Sequence, residues 1–441
     1  MLTHIRMQNF KSWQDTEDIR MAPLTGFFGA NSSGKTSLLQ MLLLLKETTE
    51  SSDRNASLST DIKEYIEIGA LSDLIHRGTK ELKLTIGWQL SQEILVSEDI
   101  ALKNLTFSTN IVAPTQIRRF EYQSDRFKAW MEINEKNQYY SVKVMIDGIE
   151  AKKQNNRPFK YITRPIKCYG FSAEALRFYQ DTEYLSDLSY AFEQYFKQVY
   201  HLGPVRDYPK RQYTWSGDKP SDVGRKGERA ISALLASSGE RLKKGKGTPK
   251  RHDTLIGRVE YWLQKMGLST SLTIEPVVKG SALYEVKLRR MGDGQTVLLP
   301  DMGFGMSQIL PVIVLCYYCP EGSTLLLEQP EIHLHPSAQA VLADMFIEVI
   351  QERKVQIILE SHSEHLLTRL QLRMAEGKLD SQAETALYFC DFKKGKSHLS
   401  SLDVDMFGEI RNYPDEFFGD LAGDVIKRTI EAAERRMQVA G

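Results

Sequence analysis

Ser323–Glu328 and Val355–Glu360 are almost unbroken apolar runs, the pattern of strands buried on both faces of a parallel sheet. A third run, Leu24–Phe28, leads into a loop of Gly, Ala, Asn and Ser, and from Thr36 the chain turns to helix formers. That order predicts strand, loop, helix. Between these segments, β-prone runs at Leu82–Ile86 and Tyr140–Ile146 predict an antiparallel β lobe. Leu185, Leu188, Phe192, Tyr195, Phe196 and Val199 recur at helical spacing and predict one amphipathic helix. Four segments are expected: 1–80, an 81–170 β lobe, a helical and basic 171–290, and 291–441, where strand, turn and helix return.

Composition narrows the class. With 41% apolar and 26% charged residues, the 441-residue chain has enough core-forming material for a globular fold. Lys and Arg total 57, and so do Asp and Glu, so attraction for nucleic acid would need a local patch. Residues 201–260 hold a surplus, 14 basic against 7 acidic, and Arg241–Arg251 is a candidate DNA contact or a solvated loop. The four cysteines are too scattered for a disulfide framework, which suits a reducing cytoplasm. The greasiest run, Leu38–Leu45, is broken by Gln40 and is far shorter than the roughly 18 residues of a membrane span. A cytoplasmic protein with no membrane partner is expected.

Gly29-Ala30-Asn31-Ser32-Ser33-Gly34-Lys35-Thr36 matches G-x-x-x-x-G-K-[ST] between a strand and a helix. The glycines let the backbone curl with its N–H groups inward, and the helix start adds the positive end of its dipole. The loop predicts a nucleoside triphosphate, held by Gly29, Asn31, Ser32, Ser33, Gly34, Lys35, Thr36 and Ser37. Lys35 would reach the β and γ phosphates, and Thr36 would bind Mg2+. Such a loop needs a carboxylate at a neighbouring strand end, and Glu328 supplies one. A second Gly-rich helix start, Asp301–Gln308, carries Gly303, Gly305 and Ser307.

Asn9-Phe10-Lys11-Ser12, G-A-N-S-S-G-K-T, G-F-G-M-S-Q, L-L-L-E-Q-P-E-I-H-L-H-P and I-L-E-S-H-S-E-H together resemble the ABC-type AAA ATPase heads of the SMC and RecF group. The nearest likeness is to the OLD-like ATPases of bacterial antiphage defence, as in Septu and PARIS systems. His201-Leu202-Gly203-Pro204-Val205-Arg206 also resembles this group. The resemblance implies an α/β P-loop NTPase of ABC/SMC-head type, with the antiparallel β lobe and a helical lobe inserted between the Walker A loop and the signature. It implies ATP and Mg2+, and a homodimer or higher oligomer sandwiching nucleotide. Gly303, Gly305 and Ser307 would touch the γ-phosphate on the partner's Lys35 loop. Glu328 would take the Walker B metal role and His362 would be the switch histidine. A separate nuclease subunit would be the effector, and a RecF-like repair ATPase or a non-hydrolysing ATP-sensing scaffold are the rivals.

Two departures from the family pattern matter. Gln329 stands where most such heads carry a catalytic Glu, and an amide cannot accept the proton. Glutamine can still orient water, and Glu331 is an alternative base, so hydrolysis should be slow. No Q-loop glutamine is evident at 61–80.

Overall fold

The computed structural model describes residues 1–59, 65, 70–112, 115–134, 136, 138–154, 162–238, 240, 242, 253–414 and 428. The basic segment Arg241–Arg251 therefore lies outside the described residues, Leu242 apart.

The apolar runs meet in one six-stranded sheet. Its order is Val199–Leu202, Thr324–Glu328, Gln356–Glu360, Leu24–Gly29, Thr385–Lys393 and Lys396–Ser401. The first five strands are parallel and the last is an antiparallel edge. Successive residues serve opposite cores: Phe27, Leu326 and Ile358 face one, and Phe28, Leu325, Leu327, Ile357 and Leu359 face the other. Burial on both faces explains why these strands read as continuous apolar runs. The helix Lys35–Glu50 follows the strand Leu24–Gly29, and Phe304–Tyr318, Pro336–Arg353 and Glu364–Ala375 follow in the C-terminal half.

The antiparallel β lobe lies between the phosphate loop and the Phe304–Tyr318 helix, as expected, and its sheet also takes in the N-terminal strands. Its strands, from Glu81–Ser97 to Ile149–Glu150, extend a sheet that begins with Leu2–Phe10, Trp13–Asp15 and Ile19–Arg20. Leu2–Phe10 pairs along Glu81–Ser97, so the N-terminal strand belongs physically to the lobe. The amphipathic helix, Tyr184–Lys197, packs against it, with the Phe192 ring 4.6 Å from Phe107 and 5.9 Å from Trp88. Gln356 joins the two sheets. Its fully buried amide donates to the carbonyls of Leu2 and Ala22 and accepts from the Leu2 N–H.

Residues 171–290, expected to be helical, also hold the antiparallel pair Ser269–Pro276 and Leu283–Arg290. Leu272, Val286 and Leu288 are buried in the same core as Val259 and Leu263 of the helix Leu255–Lys265. Short alternating strands at 269–290 are compatible with that burial, whereas a helix would have spread the same residues around its circumference. Among the described residues, no helix is long and apolar enough to cross a membrane.

Candidate nucleotide site

The parallel strands Leu24–Gly29, Thr324–Glu328 and Gln356–Glu360 end side by side, and the chemistry gathers beyond their carboxyl ends, where open α/β sheets bind ligands. Gly29 leaves its strand at φ 134°, and a Cβ there would lie 2.1 Å from the Cys390 carbonyl oxygen, so only glycine fits. Ser32 (φ 61°) and Gly34 (φ 97°) bend the loop back into the helix Lys35–Glu50. The first turn of that helix holds no acidic residue, and no side chain caps it, which leaves its N–H groups and dipole to an anion.

Lys35 is 3% exposed, and its Nζ donates to the carbonyls of Gly29 (3.1 Å) and Ala30 (2.7 Å). Burial lowers its pKa, opposed by the nearby Glu360. Asn31 and Ser32 are exposed at the loop tip, while Ser33 and Ser37 are buried. The loop is braced from outside: Trp13 Nε1 donates to the Gly34 carbonyl, and Ser12 and Ser397 share a 2.7 Å hydroxyl hydrogen bond next to Gly34.

Glu328 and Glu360 face each other in register across adjacent strands. Glu328 Oε1 bonds His201 Nε2 at 2.7 Å in a buried setting. Arg206, 3% exposed, donates to the carbonyls of Glu328 (3.2 Å) and Gln329 (3.3 Å). Burial lowers the Arg206 pKa to about 10, against the opposing pull of Glu331 and Glu328. Gln329 holds φ 43°, a left-handed conformation that side-chain residues rarely adopt, and its N–H donates to the Glu360 carbonyl. Glu331 Oε1 accepts from Ser361 Oγ and from the His362 N–H, both at 2.8 Å. Burial raises the pKa of Glu331 despite those donors. The His362 ring lies against the Gly29 carbonyl, and its pKa is lowered by burial and by Lys35. The structure thus brings Lys35, Thr36, Glu328, Glu331 and His362 to one place.

Gly303, Gly305 and Ser307 form a separate turn at the start of Phe304–Tyr318. A Cβ on Gly305 would come 2.6 Å from the His333 carbonyl oxygen, so this turn packs directly on the loop that follows Glu328. Ser307 is 5% exposed, and its hydroxyl donates to its own Phe304 carbonyl. Among the described residues, no hydrogen bond joins this turn to the phosphate loop of the same chain. His333 packs against Phe304 and His335 caps the next helix, so neither joins Glu331 in a metal cluster.

Three residues that the sequence does not assign to the nucleotide site belong to it: His201, Arg206 and Glu360. The signal for Glu360 was present, since its apolar strand ends on a carboxylate just as Ser323–Glu328 does. His201 and Arg206 were marked only by the family likeness of their segment, because the contacts that place them here depend on strand pairing across more than 120 residues.

A magnesium ion fits the donor set. Glu360 Oε2 is buried without a partner, and a hard carboxylate oxygen suits that cation. Among the described residues, no group of three or more His, Cys, Asp or Glu forms a metal cage of its own. Mg2+ in phosphate sites needs only one or two carboxylates besides phosphate and water.

A family model described as AAA ATPase domain matches residues 1–367, and a second, for a protein of unknown function, matches 381–427. No functionally curated protein matches the chain. Among solved structures, the chain is similar to an SMC head bound to the C-terminal winged-helix domain of ScpA, at 13% identity and TM-score 0.48, over 92% of this chain and 98% of that one. It is similar to the SMC head domain from Thermotoga maritima at 9% identity and TM-score 0.42, over 91% and 99%. A Pyrococcus furiosus Smc head with an extended coiled coil, bound to the C-terminal domain of ScpA, gives 12% identity and TM-score 0.43, over 91% and 96%. With the matched region spanning most of its length, including the phosphate loop and both carboxylate-ending strands, the chain belongs to the AAA ATPase domain family.

Proposed function

We propose that the chain binds ATP with Mg2+ in the Gly29–Ser37 loop, hydrolyses it slowly, and pairs with a second copy through that nucleotide. The observation that carries this reading is the buried Lys35 ammonium, coiled into its own loop at 2.7 Å from the Ala30 carbonyl, within the influence of Glu360 at a strand end and Glu331 in the neighbouring loop. Bonds to the loop's own carbonyls hold the ammonium where phosphate oxygens would replace them. The loop N–H groups and Lys35 would orient the triphosphate, Thr36 and Glu328 would hold the metal, and Gln329 and His362 would serve the terminal phosphate. Mg2+, when bound, neutralises phosphate charge and orients the leaving group.

Slow turnover follows from Gln329, whose amide orients water without taking its proton. Glu331 is the alternative base, and its unpartnered Oε2 is the oxygen available for that work. Gly303, Gly305 and Ser307 would cap the nucleotide held by a second copy. Regulation of a separate nuclease subunit in antiphage defence is supported by the motif resemblance. DNA contact is supported by the basic composition of Arg241–Arg251.

Phosphate release by the purified chain tests the enzymatic part. Lys35→Ala should abolish release, and Gln329→Glu should raise it by about tenfold or more, since a positioned general base contributes roughly 10²–10⁴-fold. Release by the native chain no greater than by Lys35→Ala would favour a non-hydrolysing ATP sensor.

A further inference from the structure

Glu328 and Glu360 end adjacent strands, yet their surroundings differ. Glu328 is taken up by His201 at 2.7 Å. Glu360 sits on the strand that pairs directly with the phosphate-loop strand, opposite Phe27, whereas the strand of Glu328 lies one position further away. Burial raises the Glu360 pKa, and a hydrogen bond from the Thr36 hydroxyl opposes that shift. Glu360 is 4% exposed, and its Oε2 has no hydrogen-bond partner. Lys35 does not occupy that oxygen, because its ammonium bonds the carbonyls of Gly29 and Ala30. A buried carboxylate oxygen without a partner is costly unless a ligand compensates it. The ligand that suits it, beside a phosphate-loop threonine hydroxyl, is a hydrated divalent cation.

We infer that Glu360 is a metal-side carboxylate of the nucleotide site, orienting Mg2+ or its water shell next to Thr36, while His201 fixes Glu328 beside it. This rests on the reading that the loop binds Mg-ATP. The assignment divides the work between two strand ends, where the sequence motif had placed it on Glu328 alone. Glu360→Gln isolates the role: the amide keeps an oxygen for Thr36 and nearly the same volume, but loses the charge a cation needs.

The experiment is titration of the full chain with a fluorescent ATP analogue, in EDTA and in Mg2+, for the native protein, Glu360→Gln and Glu360→Asp. The native chain should bind more tightly in Mg2+ than in EDTA. Glu360→Gln should bind within about twofold of native in EDTA and lose about 10–100-fold of the magnesium-dependent gain, the usual effect of removing a metal-orienting group. Glu360→Asp keeps the charge at a shorter reach and should retain part of the gain, and it serves as the readout if Glu360→Gln fails to fold. A full magnesium gain in Glu360→Gln overturns the assignment. Equal weakening in EDTA and Mg2+ also overturns it and makes Glu360 a counter-ion for Lys35. No binding by the native chain in either condition overturns the ATP reading, and this inference with it.

Discussion

The buried contact between His201 and Glu328 allows a quantitative test of how the Glu328 carboxylate is held. The side chains are 1% and 10% exposed, and Nε2 and Oε1 are 2.7 Å apart, so water screens the contact little. A hydrogen bond to a charged partner contributes about 1.5–3 kcal/mol net. Removing one member of a buried pair costs about 3–5 kcal/mol, because the other is left without compensation. His201→Ala should therefore destabilise the chain by about 3–5 kcal/mol, and by about 1.5–3 kcal/mol less when Glu328→Ala is already present. Urea unfolding of the four proteins, without nucleotide at neutral pH, closes the cycle. The coupling also predicts a functional loss in His201→Ala, namely weaker metal-dependent nucleotide binding, because the carboxylate is no longer oriented. A coupling below about 0.5 kcal/mol, the level expected of independent sites, would refute the argument.

Gly303 and Gly305 should fail for different reasons. Gly305→Ala puts a methyl against the His333 carbonyl and should cost about 1–3 kcal/mol, with faster hydrogen exchange at 329–335. Gly303→Ala meets nothing within 4 Å but must hold φ 95°, so it should cost a similar amount without speeding exchange there; equal exchange in both variants would refute the distinction. At the far edge, the Arg6 guanidinium donates to both Asp15 oxygens, at 3.0 and 2.8 Å, and draws that carboxyl from 3.8 down to about 2. A lowered folded-state value makes the contribution complete above pH 3.8 and lost as pH falls toward 2. Both side chains are about a third exposed, so screening limits it to about 1 kcal/mol. Asp15→Asn should remove this component from the acid limb of a pH-dependent unfolding curve, and an unchanged limb would contradict it.

Much of this site was legible because its signals are local. The phosphate loop is a contiguous octapeptide with a strand before it and a helix after it, and the apolar runs ending in Glu328 and Glu360 announce strands buried on both faces. The amphipathic spacing from Leu185 likewise marks Tyr184–Lys197. What escaped the sequence depends on pairing between distant segments. Leu2–Phe10 joins Glu81–Ser97 across about 80 residues, so nothing near either segment shows that the β lobe starts at the N-terminus. His201 and Arg206 reach Glu328 and Gln329 only after Val199–Leu202 takes its place beside Thr324–Glu328. The positive φ of Gln329 is similarly invisible in composition, and its backbone contacts with Glu360 and Arg206 exist only once the sheet is assembled.

Light-scattering mass of the full chain, with and without Mg-ATP, tests nucleotide-dependent pairing most directly. The mass should double, or rise to a higher multiple, at saturating Mg-ATP, and Lys35→Ala and Ser307→Arg should each hold it at the nucleotide-free value. A mass that does not change with nucleotide, or a rise that survives both substitutions, would contradict nucleotide-dependent pairing.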